Sequence, residues 1–199
     1  MPYTEQHKRE TRKRIIQSAR RLFNRHGFAE VSIDEIMAGA GLTRGGFYKH
    51  FQGKEDLYEE AVLEFICAGR PEAWQASHVD REARGATLSR MILDAYLSQD
   101  HFDDRDGSCP LIALPSDVGR GSEGVKGAFR QVLAMMVDTF AGNLGPGTGS
   151  PRERALALTA MMVGGMALAR AVDDAMLAGE LRNSARAQAI AMAGWDIAE

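Results

Sequence analysis

An all-α chain is what this sequence predicts, and three observations predict it. Apolar residues recur at spacings of three and four along most of the chain, as in Ile15, Ile16, Ala19, Leu22 and Phe23. Two Ser-x-x-Glu boxes, at Ser32 with Glu35 and at Ser150 with Glu153, mark helix starts, because each side chain satisfies a backbone N–H that the first turn leaves unpaired. Between them the stretch from Ala38 to Phe51 reads as two short helices joined by a glycine turn, since glycine takes left-handed backbone conformations without a Cβ clash.

Taken in order, the first helix is expected from about Thr4 to His26, with Gly27 ending it. Its polar face carries Lys8, Arg9, Arg12, Lys13 and Arg14. The Ser32 box opens a second helix that runs to about Gly39. After the turn, Thr43 is expected to cap a third helix with its hydroxyl. That helix turns Arg44, Tyr48, Lys49 and His50 outward, while Phe47 and Phe51, four apart, point inward. Exposed donors on one side of a short helix and aromatic anchors on the other are the arrangement of a helix-turn-helix reader.

A long helix follows from Lys54 through Leu57, Ala61, Val62, Phe65 and Ile66, and Gly69-Arg70-Pro71 ends or kinks it. Trp74 lies in a segment that reads equally as helix or loop. Asp80 is expected to cap the next helix, whose apolar positions are Leu88, Met91, Ile92, Ala95 and Tyr96. The segment from His101 to Pro110 breaks the pattern, and Gly119 to Gly124 is a second break. A helix from about Val125 to Asn143 carries the stripe Phe129, Val132, Leu133, Met136, Val137 and Phe140. Gly145-Pro146-Gly147-Thr148-Gly149 is the clearest loop. Beyond it, one helix apolar almost all round is expected to about Ala178, and an alanine-rich one from about Asn183 to Ile197. That makes about nine helices.

Composition bounds the function. An apolar share of 45% over 199 residues supports a real core. The formal net charge of −3 hides an asymmetry: residues 1–58 carry +4 and the remainder −7. A basic head on an acidic body is expected where one end alone meets phosphate. Two cysteines, Cys67 and Cys109, are too few for a disulfide scaffold and too far apart for a C-x-x-C motif, which favours a reducing compartment. The N-terminus shows no apolar signal segment, and the longest uncharged run, Ala155 to Ala169, falls short of a membrane span. A cytoplasmic protein with no membrane partner is therefore expected.

The stretch around the glycine turn resembles a known family. Ile36, Ala38, Ala40-Gly41-Leu42-Thr43, Gly45, Tyr48, His50-Phe51, Lys54 and Leu57 stand as in the N-terminal domain of the TetR (tetracycline repressor) family of transcription regulators, over roughly residues 10–60. Met37, where the family usually has Ala, and Gly46 inside the reading helix depart from its pattern. The resemblance implies DNA contacts at Ser32, Thr43, Arg44, Gly45, Tyr48, Lys49, His50 and Lys54: Thr43, Tyr48 and His50 on phosphate or sugar, and Lys54 clamping the backbone. Arg44 and Lys49 are the candidates for base edges, because either can donate two bonds to guanine O6 and N7. It further implies a helix-turn-helix DNA-binding domain over residues 1–53 and a helical ligand-binding and dimerisation domain over 54–199. The last two helices would pair with their copies in a homodimer on a near-palindromic operator, with a small-molecule effector releasing a repressor.

Candidate effector contacts are Phe65, Trp74, Met91, Phe102, Cys109, Met136, Phe140, Met162 and Met166, since unbranched, polarizable methionines make an adaptable lining. Cys109 stands apart. Beside Arg105 and at an expected helix start, it reads either as a small buried residue or as the thiol of a redox or electrophile sensor. No ligand spacing typical of zinc, and no Gly-x-Ser-x-Gly, His-Glu-x-x-His or phosphate loop is present, so neither metal, cofactor nor enzymatic activity is expected, and a helical enzyme is the remote alternative.

Overall fold

Where each helix stops decides how this chain folds. The computed structural model describes residues 5–67, 79–80 and 82–195, and among them eleven helices and no strand occur. They are α1 (Glu5–Glu30), α2 (Ile33–Gly39), α3 (Arg44–Lys49), α4 (Lys54–Cys67), α5 (Gly85–Tyr96), α6 (Gln99–Asp103), α7 (Pro110–Ala113), α8 (Pro115–Arg120), α9 (Glu123–Ala141), α10 (Pro151–Ala171) and α11 (Ala175–Ala193). Three of them, α6, α7 and α8, are short, and of these only a helix starting near Cys109 is expected from the sequence. Pro110 and Pro115 each open one of them at a position where a missing N–H costs nothing. Trp74 and the Gly69-Arg70-Pro71 break lie outside the described residues.

The chain forms two compact units, residues 1–69 with 105–132, and residues 70–104 with 133–199. In the first, Ile15, Ile16, Ala19 and Phe23 of α1 are buried against α2 and α4. Gly27 interrupts α1 at φ 78°, and the N–H of Phe28 beyond it donates to Asp117 Oδ2 of α8 at 2.8 Å. Side chains of α1 also hold the loop before α7. Arg20 donates to the Gly107 carbonyl, and Asn24 to those of Asp106 and Ser108.

The second unit is built on α10 and α11, which lie along one another with α5 against both. An added Cβ on Gly165 would stand 2.6 Å from that of Ala185, so the two helices approach to backbone distance there. Arginines tie the helix ends: Arg170 donates to the carbonyls of His101 and Asp104, Arg182 to Leu97, and Arg154 to Gly145. Helix α10 has the length and apolarity of a membrane span, yet Arg152, Glu153 and Arg154 occupy its first turn and its long contact is with α11.

Both capping boxes form as expected. Three local expectations need correction. The break between the last two helices falls at Val172–Asp174, because Asp174 accepts from the N–H groups of Met176 and Leu177 and starts α11 eight residues early. Asp80 accepts from the N–H of Glu82 and closes a turn upstream, leaving Arg84 at the N-cap of α5. Thr43 holds the N-cap position of α3, but its hydroxyl makes no cap bond.

Candidate nucleic-acid interface

The candidate site starts from the turn between α2 and α3. Gly41 sits at φ 67°, in the left-handed region, and its N–H returns to the Ala38 carbonyl at 2.9 Å. The Arg14 guanidinium of α1 donates to the Ala40 carbonyl beside it, and Ser18 Oγ donates to the Ile36 carbonyl at 2.8 Å. The end of α2 is thereby fixed to α1 by two side chains one helical turn apart. Helix α3 is a single 3₁₀ stretch of six residues. Its anchor is Phe47, fully buried and 5.6 Å from the buried Phe51 ring, with Ile36 and Met37 of α2 also in this core.

On this anchor α3 presents its polar side. Tyr48 is 63% exposed, its ring edge-on to Phe47, and Thr43, Arg44, Gly45 and Lys49 are exposed as well. Lys8, Arg9 and Lys13 on α1 are exposed and carry positive charge beside them in the same unit. An open cleft of about 230 Å³ runs between α1 and α3, lined by Thr11, Met37, Leu42, Thr43, Gly45, Gly46, Lys49 and His50. His50 is half-buried on it, with Nδ1 shielded and without a hydrogen-bond partner. Burial first, then the charges of Arg12, Lys8 and Lys49, lower its pKa below the ordinary histidine value.

Several expected contact residues already have protein partners. Ser32 is the N-cap of α2; its hydroxyl accepts from Glu35 N–H and lies 2.7 Å from Glu35 Oε2. Those bonds hold the Glu35 carboxyl below its ordinary pKa. Lys54 Nζ donates to the Val31 carbonyl at 2.5 Å, and sits 4.3 Å from the Phe28 ring centroid. Burial lowers its pKa, partly offset by Glu30 and Glu35. Arg12 makes a two-pronged ion pair with Glu60 of α4, its guanidinium 4.3 Å from the centre of the Phe51 ring. Hydrogen bonding to Glu60 raises its pKa. Of the basic run on α1, Arg12 and Arg14 are thus ties within the head, which sequence spacing does not reveal.

One residue of the site escaped the sequence reading. Asp34, in the first turn of α2, pairs with Arg44 at 2.5 Å. An acidic residue in a first turn reads from sequence as a complement to the helix dipole, and a partner ten residues away across a glycine turn has no spacing signature.

The expected effector contacts are divided between the units. Phe65, with Arg20 over its ring, and Cys109 are buried in the first. In the second, Met136, Phe140, Met162 and Met166 are buried, Met91 is half-buried, and Phe102 is half-buried beneath Arg182 at 4.6 Å. Cys109 is 0% exposed at the N-cap of the four-residue α7, whereas Arg105 is exposed. No group of three or more metal-ligating side chains occurs among the described residues.

Comparison with known proteins agrees with this geometry. The family model for bacterial regulatory proteins, tetR family, matches residues 15–61. The HTH-type transcriptional regulator AcrR of Shigella flexneri is 46% identical over 57 residues, 29% of this chain and 26% of that protein. The HTH-type transcriptional regulator TtgR of Pseudomonas putida is 32% identical over 90 residues, 45% of this chain and 42% of that one. The chain spans between about a quarter and two fifths of the length of these relatives. Among solved structures, reduced NemR of E. coli matches with a TM-score of 0.74 at 19% identity, covering 92% of this chain and 96% of that one. The SmeT–triclosan complex matches at 0.63 and 21%, covering 92% and 90%. At these identities the structures show a common fold.

Proposed function

We propose that this chain, whose residues 15–61 match the family model for bacterial regulatory proteins of the tetR family, is a DNA-binding transcription regulator acting as a repressor. The observation that carries this reading is α3. It turns exposed Arg44, Tyr48 and Lys49 away from the buried Phe47 anchor, within the segment that matches the family. On this reading residues 1–53 read DNA, and residues 54–199 bind an effector and dimerise, in the cytoplasm. Thr43, Tyr48 and His50 meet phosphate or sugar, Arg44 and Lys49 meet base edges in the major groove, and Lys54 acts near the backbone.

Dimerisation is supported by α10 and α11. They leave Leu156, Leu168, Met176 and Leu177 exposed in the single chain, a set of apolar side chains that a second copy would cover. A two-fold dimer sets its reading helices one helical turn apart, about 34–36 Å, and calls for a near-palindromic operator. A fold neighbour solved with triclosan supports a small-molecule effector in the helical body. That effector acts only through its differential affinity for two conformations, and DNA must weaken its binding by the same factor. Full burial of Cys109 disfavours the alternative in which its thiol senses oxidants, since oxidation needs access to the sulfur.

Selecting duplexes from a random-sequence pool with the full chain tests the proposal. Enrichment of one near-palindromic site is expected, bound by two chains. Recovery of no preferred sequence, or of single-stranded binding alone, contradicts it.

A further inference from the structure

The Arg44–Asp34 ion pair lies at the point where the proposed reader meets DNA. Arg44 is the first residue of α3 and Asp34 the second of α2, and their side chains are 61% and 55% exposed. Among exposed pairs such a contact contributes little to folding, so stability does not explain its placement. Its consequence is electrostatic. A guanidinium that carries a carboxylate 2.5 Å away brings no net charge to the duplex, and releases no counterion on approaching a phosphate.

We infer that Asp34 is a specificity-determining residue: it withholds Arg44 from phosphates, and it directs the guanidinium, together with its own carboxylate, onto a G·C base pair. The inference rests on the DNA-reading proposal above. The chemistry is that of the major-groove edge of that pair, which offers guanine N7 and O6 as acceptors and the cytosine N4 amino group as a donor beside O6. Arg44 Nη1 is the nitrogen committed to Asp34 Oδ2, and a guanidinium has five N–H donors, so further donors remain for N7 and O6. The carboxylate is acceptor-only and can take the cytosine amino proton. Against an A·T pair the same carboxylate faces thymine O4, an acceptor, and is repelled. Phosphate repels it equally, and a site without the G·C pair gains nothing from the Arg44–Asp34 unit. The pair therefore lowers affinity for random DNA while leaving the matched site bound.

The test uses full-length protein, duplexes selected from a random pool, and four chains: wild type, Asp34→Ala, Arg44→Ala and the double variant. For Asp34→Ala the preference for G·C over A·T at the contacted position should fall on the order of tenfold, the scale of one good side chain–base contact. Affinity for a scrambled duplex should rise, with a log–log salt dependence steeper by about 0.9 per reading head as Arg44 gains a phosphate. In the Arg44→Ala background, Asp34→Ala should leave the salt slope unchanged, since no guanidinium is released to a phosphate, and should shift base preference and scrambled-duplex affinity far less than in wild type. Circular-dichroism melting checks folding, and Asp34→Asn replaces the alanine variant if that one does not fold. Equal tightening in both backgrounds would make Asp34 a mere negative charge and overturn the inference, as would an unchanged base preference. Failure of the wild-type chain to select any sequence is a different outcome and overturns the DNA-reading proposal itself.

Discussion

Lys54 gives the sharpest test of how the head is held together. Its ammonium donates to the Val31 carbonyl at 2.5 Å and, more weakly, to the Ala29 carbonyl at 3.4 Å, and it sits over the Phe28 ring. Lys54→Met keeps the apolar stem and removes the charged head. A charged hydrogen bond contributes about 1.5–3 kcal/mol, and an exposed cation–π contact about 0.5–1 kcal/mol. Partial burial of the ammonium, visible in its lowered pKa, offsets part of this. A net loss of about 2 kcal/mol is expected, which for a chain of this size lowers Tm by about 4–8 °C. Urea unfolding followed by circular dichroism measures it. Because Lys54 orients the junction of α1, α2 and α4, DNA affinity should fall alike for matched and scrambled duplexes. An unchanged urea midpoint would refute the tie, and a loss confined to one base position would refute its role in holding the head.

Three further expectations follow from the geometry. Burial pushes the pKa of His101 down to about 4, against about 6.5 in an unfolded chain, so on acidification the unfolded state takes up a proton that the folded state refuses. Stability should be full above pH 6.5 and fall by about 2 kcal/mol on going to pH 4.5, and in His101→Gln this acid limb should be flatter; a wild-type urea midpoint constant over that window contradicts it. Gly165→Ala places a Cβ 2.6 Å from that of Ala185, and should cost about 1–3 kcal/mol by forcing α10 from α11, read as a lower Tm. Gly46 has no positive φ, and an added Cβ meets only Met37 Cε, at 3.5 Å, so Gly46→Ala should raise stability by about 0.5–1 kcal/mol; a loss would show that α3 needs the glycine.

The parts of this fold that sequence made legible are those governed by local rules. The Ser32 and Ser150 boxes, the left-handed Gly41 and the inward Phe47 and Phe51 each follow from a few adjacent residues. The parts it missed depend on partners far along the chain or on competition between signals. The apolar run through α10 continues past Ala171 into Ala175, Met176 and Leu177, and hides the Asp174 cap that divides it. Arg12 and Arg14 look like free positive charge until Glu60 and the Ala40 carbonyl are brought to them by packing. Asp34 has no partner in sequence until the turn folds Arg44 back onto it. In the body, helical spacing marks Met136, Met162 and Met166 as apolar positions, and all three are buried, which is what spacing alone can specify.

Hydroxyl-radical footprinting of the full chain on its selected duplex tests the central claim most directly. The account predicts two protected patches related by two-fold symmetry and one helical turn apart, both lost when Tyr48 and Lys49 are replaced by alanine. A single patch, or protection that survives those replacements, would contradict it.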